Sequence, residues 1–138
     1  MNWKTILLLS CFGIFMGIAS LFGLTQGIEL WLWLGFALGC SFWLAKKLPE
    51  SQLSNGVLVG LFCGILNSAV QSMYFDLYLS NNPASHEEFA QIPGGLAPSI
   101  FVLLAGFPIG LVYGLVIGLL TLAVSKFIKP KSTQVNQR

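Results

Sequence analysis

Long apolar stretches separated by short polar segments dominate the chain. Four of them approach or exceed the roughly 20 residues that a helix needs to cross the hydrocarbon core of a bilayer. They lie at 6–24, 28–45, 57–78 and 100–124. The alternating polarity that is typical of transmembrane strands is missing from these stretches. The pattern therefore predicts an all-α membrane protein with four transmembrane helices in a single domain.

The connections between the predicted spans are mostly short. The segment Thr25–Gly27 leaves so little chain that the first two helices are expected to form an antiparallel hairpin. The outer loop, 79–97, is the largest segment outside the predicted spans. Within it Ser85 and Glu88 match a capping box, which predicts a short helix near 86–91.

Composition and charge support this interpretation and add an orientation. Hydrophobic residues make up 55% of the chain and charged residues only 9%, whereas soluble domains carry about 25% charged residues. A water-soluble globular protein is thereby excluded. All basic residues fall on one side of the four-span arrangement: Lys4, Lys46, Lys47, Lys126, Lys129, Lys131 and Arg138. Because positive charge is retained in the cytoplasm, both termini are predicted to be cytoplasmic.

Small residues recur every four positions in the predicted helices. Lipid tails are as apolar as leucine, so membrane helices gain most where small residues let two backbones approach. The spacing predicts an antiparallel bundle with glycine-ridge packing, in which the third and fourth helices touch, mostly within one chain. The predicted packing residues are Gly13, Gly17, Gly35, Gly39, Gly56, Gly60, Gly64, Gly106, Gly110, Gly114 and Gly118.

Two amides provide the candidate polar site. Asn67 and Gln71 lie near the middle of the third predicted span, on the face that carries its glycines. An amide that faced lipid would leave donors and acceptors unpaired, so both are expected to point inward. Together with Tyr74 and Tyr113 they form either a polar site or path for a small solute, or a set of hydrogen bonds between helices.

Motifs for catalysis are missing from the sequence. It has no metal-binding helix motif, nucleophile elbow or phosphate-binding loop, and its single histidine lies outside the predicted spans. We therefore expect no catalytic residues, no cofactor and no metal site. The basic residues do not interleave with aromatic residues, so nucleic acid is not an expected partner. The expected partners are the lipid bilayer and either a second copy or another membrane protein.

The segment Ser54–Phe89 combines a glycine-rich helix, Tyr74-Phe75-Asp76 and an Asn82-Pro83 turn, and the glycine-rich last helix ends in lysines. These features resemble a family of small bacterial four-helix inner-membrane proteins of unknown function. The resemblance implies four spans and a bacterial inner-membrane location. It supplies no activity and no site residue.

Two functional hypotheses follow from the sequence. The first is a non-enzymatic accessory or scaffold subunit of a membrane assembly. The alternative is a small transporter or channel with a polar path near Asn67 and Gln71. A path requires a polar cavity that reaches water beside Asn67, whereas a scaffold requires a dry core in which both amides are paired. Substrate, partner and oligomeric state are left open by the sequence.

Overall fold

The computed structural model describes residues 2–92 and 95–128, and all regular structure in these ranges is helical. The helices are α1 (Trp3–Leu21), α2 (Glu29–Lys47), α3 (Gln52–Met73), α4 (Phe75–Asn81), α5 (Ser85–Ala90) and α6 (Pro98–Phe127). The prediction of an all-helical protein is confirmed for these residues. The predicted polar tail from Lys129 to Arg138 and positions 93–94 of the outer loop lie outside the described residues.

Three of the described helices are long and apolar enough to cross a membrane, namely α1, α3 and α6. Helix α2 matches α1 in length at 19 residues, but it begins with Glu29 and ends with Lys46 and Lys47. The uncharged stretch between them spans about 24 Å at 1.5 Å per residue, less than the hydrocarbon thickness of about 30 Å. The second predicted span is therefore a helix with charges at both ends.

The connections differ from their predicted lengths. Residues 22–28 join α1 to α2, rather than three residues, because Gly23 and Gly27 take positive φ angles of 67° and 77° that end the helical path. Helix α3 begins at Gln52 instead of residue 57. The residue before it, Ser51, also has a positive φ, 57°.

A break at Tyr74 divides the predicted span 57–78. The φ and ψ of Tyr74 are −118° and 42°, outside the helical region, so α3 ends at Met73 and α4 starts at Phe75. Neither proline nor glycine marks this break in the sequence. The predicted continuous helix from 57 to 78 is therefore wrong.

Hydrogen bonds to the α1–α2 connection hold α4 in its separate direction. The Gln26 side-chain amide donates to the Asn81 carbonyl at 2.7 Å and to Asn82 Oδ1 at 3.1 Å. The Asn82 amide in turn donates to the Ser20 carbonyl at 2.9 Å. Contacts between distant segments thus compensate for the interrupted helix.

The short helix of the outer loop, α5, lacks the predicted capping box. Its N-cap residue is Ala84, which makes no side-chain cap. Ser85 lies inside the helix, and its Oγ is 3.3 Å from the hydroxyl oxygen of Tyr78. Ser85 is therefore used to join α5 to α4 rather than to cap its own helix.

Helices α3 and α6 form the central pair, and their glycines face one another. A Cβ added to Gly56 would lie 2.5 Å from the Cα of Gly118, so no side chain fits between the backbones. The other close approaches along this interface are Gly60 with Gly114, Gly64 with Gly110, and Gly106 with the Ser68 side chain. The order of these pairs makes the two helices antiparallel.

Helix α1 packs on α3, and α2 packs on α6. The Ser10 hydroxyl donates to the Val59 carbonyl at 3.5 Å, and Gly17 lies against Val70 farther along, so α1 and α3 run parallel. These two helices also approach closely where Gly13 meets the backbone of Cys63. The backbones of α1 and α2 thus approach other helices more closely than each other, and side chains make the contact between α1 and α2.

The second helix uses its glycines differently from the prediction. Gly35 and Gly39 are exposed, and a Cβ on either would meet nothing within 4 Å. Neither therefore carries a helix contact within this chain. Helix α2 meets α6 through Ser41 instead, whose hydroxyl donates to the Ile117 carbonyl at 3.2 Å.

All four long helices contribute to one hydrophobic core. Its fully buried members include Ile6, Leu44, Val59, Cys63 and Ile117. Side chains fill the space between α1 and α2, where the ring of Phe12 stacks on that of Phe36 with centroids 3.9 Å apart. This packed core occupies the half of the molecule that contains the start of α3 and the end of α6.

Candidate functional site

A cavity of about 450 Å³ lies at the opposite end of the central pair. It is bounded by α2, α3 and α6, and residues of α4 and α5 complete its wall. The cavity exists because α2 packs on α6 and hardly on α3, which leaves a gap between them. The polar side chains that line it are Glu29, Trp33, Asn67, Ser68, Gln71, Tyr78 and Tyr113.

The two predicted amides both line this cavity but differ in their hydrogen bonding. Gln71 Nε2 donates to the Ser20 hydroxyl at 3.0 Å. Asn67 Oδ1 is sealed from solvent and accepts no hydrogen bond from any described residue. Leaving a buried acceptor unpaired costs about 1–3 kcal/mol. Gln71 therefore bridges α3 to α1, whereas the Asn67 oxygen makes no such bridge.

Of the two predicted tyrosines, the structure brings only one to the cavity. Tyr113 lines it, and its hydroxyl donates to the Trp33 carbonyl at 2.7 Å, which joins α6 to α2. Tyr74 is 56% exposed and is not among the lining residues. Helix α3 ends at Met73, so Tyr74 does not continue the helical face that carries Asn67 and Gln71.

The structure adds Glu29, which sequence reasoning did not place in the site. Glu29 is half-buried at the start of α2, and the Trp33 indole N–H donates to its Oε1 at 3.4 Å. It is the single charged residue among the described residues that line the cavity. The available signal was the spacing of four between Glu29 and Trp33, which places both on one face of a helix.

Aromatic contacts hold the α2 wall of the cavity in place. The ring of Trp33 makes edge contacts with Phe12 at 5.4 Å and with Tyr113 at 4.9 Å, measured between centroids. Such arrangements are favourable beyond the area they bury. Because the Trp33 indole also donates to Glu29, the carboxylate is bonded to a side chain that Phe12 and Tyr113 hold in place.

A second cavity of about 490 Å³ lies beside the first, between α2 and α6, and presents only apolar surface. The two cavities share Leu30, Trp33, Ile109 and Tyr113. The polar groups are thus confined to the first cavity, on the side where α2 and α6 face α3.

No protein-family model, curated protein or solved structure matches this chain.

Proposed function

We propose that this chain is a four-span protein of a bacterial inner membrane, with both termini in the cytoplasm. Three helices qualify as spans by length and composition. The fourth span in the proposal is α2, because Ala37, Cys40 and Leu44 enter the same core as α1, α3 and α6. A helix that lay on the membrane surface would not share that core. The charges at both ends of α2 would then lie at the two interfaces, where lysine side chains reach water.

The function that the geometry supports best is non-enzymatic binding of a small molecule in the cavity of about 450 Å³. The observation that carries this proposal is an open, mostly apolar space whose lining includes Glu29 and Asn67, and the buried amide oxygen of Asn67 has no partner among the described residues. Ligand sites usually combine apolar walls with a few polar groups that orient the ligand, and volumes of about 300–1,000 Å³ are typical. A dry scaffold core would have both amides paired.

Binding fits the structure better than conduction through one chain. Val59, Cys63 and Ile117 have no exposed surface, and they fill the half of the molecule beyond the cavity. The close glycine pairs of α3 and α6 close the remaining space between those helices. In the proposal the chain is an accessory subunit of a membrane assembly that holds the ligand. A transporter would require this core to open.

Cysteine labelling tests whether the cavity opens as proposed. In a variant whose native cysteines are replaced, Asn67→Cys should react with the neutral reagent hydroxyethyl methanethiosulfonate added from outside. The same reagent should leave Leu66→Cys, the neighbouring position outside the cavity lining, largely unmodified. Adding Ala105→Phe, which fills the cavity from α6, should slow the reaction at position 67.

Equal labelling of the two positions, or labelling at position 67 that Ala105→Phe does not slow, would contradict an open cavity. Because the reagent carries no charge, this result does not depend on the kind of ligand. It therefore tests the proposed function by itself.

A further inference from the structure

We infer that the ligand of the cavity is an organic ammonium ion, a small amine whose apolar part fits the cavity walls. The inference rests on the proposed function, since it names the ligand class for that cavity. It starts from Glu29, the single charge among the described lining residues. Glu29 is half-buried at the first residue of α2, and a charged group in a binding site favours a ligand of the opposite charge.

The surroundings of Glu29 offer acceptors and aromatic rings but no competing cation. Its hydrogen bond within the described residues comes from the neutral indole of Trp33, so its charge is not neutralised by the protein. The carboxylate accepts hydrogen bonds only, and an ammonium group supplies up to three donors. An anionic ligand would instead place like charges together without a lysine or arginine to separate them.

Aromatic side chains make up a large part of the walls. Trp33, Tyr78, Phe89, Phe101 and Tyr113 all line the cavity. The faces of such rings attract cations within about 6 Å, and tryptophan is the most favourable of them. The same rings contact the apolar part of an amine. A carboxylate beside several aromatic rings therefore selects for a cation that is also organic.

The neighbouring amide suits a ligand with a polar head. Asn67 lines the wall across from α2, and its oxygen has no partner in its present orientation. A half-turn of the amide exchanges its oxygen and nitrogen and breaks no hydrogen bond of that oxygen. Asn67 can thus turn its oxygen toward an ammonium group that is bound to Glu29.

Among the described residues, acidic side chains near the cavity end attract cations toward it. Asp76, Glu87 and Glu88 lie near the cavity end, in or beside α4 and α5. The described lysines lie at the helix ends that are farther from the cavity: Lys4 at the start of α1, Lys46 and Lys47 at the end of α2, and Lys126 at the end of α6. A one-signed field around a cleft raises the local concentration of oppositely charged ligands.

A metal ion fits this cavity less well than an organic cation. Within the described residues, no group of three or more histidine, cysteine, aspartate or glutamate side chains could hold a metal. One carboxylate also provides too few ligands for calcium or magnesium, which take six or more oxygens. The volume of about 450 Å³ suits an organic molecule rather than a bare ion.

A direct binding measurement tests the inference. The full chain in dodecyl maltoside would be dialysed to equilibrium against phenethylammonium or against 2-phenylethanol, a neutral molecule of similar shape. We expect the ammonium to bind about ten- to a hundredfold more tightly, since hydrogen bonds to charged groups are the stronger ones. Glu29→Gln should remove this preference. Glu29→Asp should keep most of it, and Glu50→Gln, between α2 and α3 and outside the cavity lining, should keep all of it.

Two competitors distinguish the sources of the ammonium group. Displacement of phenethylammonium by phosphatidylethanolamine, but not by phosphatidylglycerol, would identify a lipid headgroup as the occupant. Binding that neither lipid displaces would identify a free amine. Either result supports an ammonium site.

Equal affinity for the two probes, or an unchanged preference in Glu29→Gln, would overturn the ammonium inference. The absence of binding by both probes would overturn it as well. In each case the labelling of Asn67→Cys with the neutral reagent decides separately whether the cavity is open, so the failure of the inference differs from the failure of the proposed function.

Discussion

Gly60 on α3 and Gly114 on α6 face each other with no side chain between their backbones, so a Cβ on Gly60 would overlap the Cα of Gly114. This contact lies in the middle of the row that joins the two central helices. In lipid, close backbone approach replaces the hydrophobic effect as the source of helix association. We therefore expect the central pair to become less stable when a side chain is added at either glycine.

Gly60→Ala should destabilise the protein by about 1–3 kcal/mol, because a packed interface must shift to accept the added methyl group. Alanine otherwise favours a helix over glycine by about 1 kcal/mol, so the clash reverses the usual sign. Gly39→Ala is the matched control. Nothing lies within 4 Å of its added Cβ, so its stability should stay the same or rise slightly. Unfolding by sodium dodecyl sulfate in mixed micelles, followed by circular dichroism, measures both, and equal effects would contradict the packing.

Tyr113→Phe should lower the free energy of unfolding by about 0.5–1.5 kcal/mol. The substitution removes the hydroxyl that donates to the Trp33 carbonyl at 2.7 Å. Tyr74→Phe provides the control, since Tyr74 is 56% exposed and its hydroxyl bonds to none of the described residues. We expect no change in the unfolding midpoint for Tyr74→Phe. A loss of stability in the control alone would show that Tyr113 does not join α6 to α2.

Asn82→Ala should destabilise the outer loop by about 1–3 kcal/mol, because the buried asparagine satisfies several groups at once. Its amide donates to the carbonyls of Ser20 and Tyr78 at 2.9 and 2.8 Å, and its oxygen accepts from Gln26. Gln91→Ala, at an exposed position after α5, should have little effect. Hydrogen exchange of α4 amides would detect the change locally, and unaltered protection in Asn82→Ala would contradict this role.

The positions of the long helices could be predicted from the sequence because their signal is local. A long apolar run is helical in lipid whatever surrounds it. The spacing of small residues every four positions also indicates which face of a helix lacks large side chains. It does not identify a partner, so Gly60 and Gly39 look alike in the sequence although only Gly60 contacts another helix.

The features that could not be predicted from the sequence depend on contacts between distant segments. The break at Tyr74 carries no proline or glycine, and α4 is held by Gln26 from the α1–α2 connection. Asn67 and Gln71 were predicted to face inward, and both line the cavity. Glu29 was not predicted to belong to the site, because its inclusion requires knowing that α2 packs on α6 and leaves a gap toward α3.

Four passes through the membrane are the central claim, because they place the cavity on the outer face and both termini in the cytoplasm. Helix α2 decides the number of crossings, because α1, α3 and α6 qualify as membrane spans by length and composition and α2 does not. Alkaline phosphatase, which is active only outside the cytoplasm, can be fused behind Gln26, Glu50, Gln91 or Arg138 in a bacterial host. Immunoblotting would establish that each fusion protein is stable.

The account predicts high activity behind Gln26 and Gln91, and low activity behind Glu50 and Arg138. If α2 did not cross, the chain would stay outside after α2 instead of returning to the cytoplasm, and the activities behind Glu50, Gln91 and Arg138 would be inverted. High activity behind Glu50 and Arg138 with low activity behind Gln91, from stable fusions, would contradict the four-span arrangement.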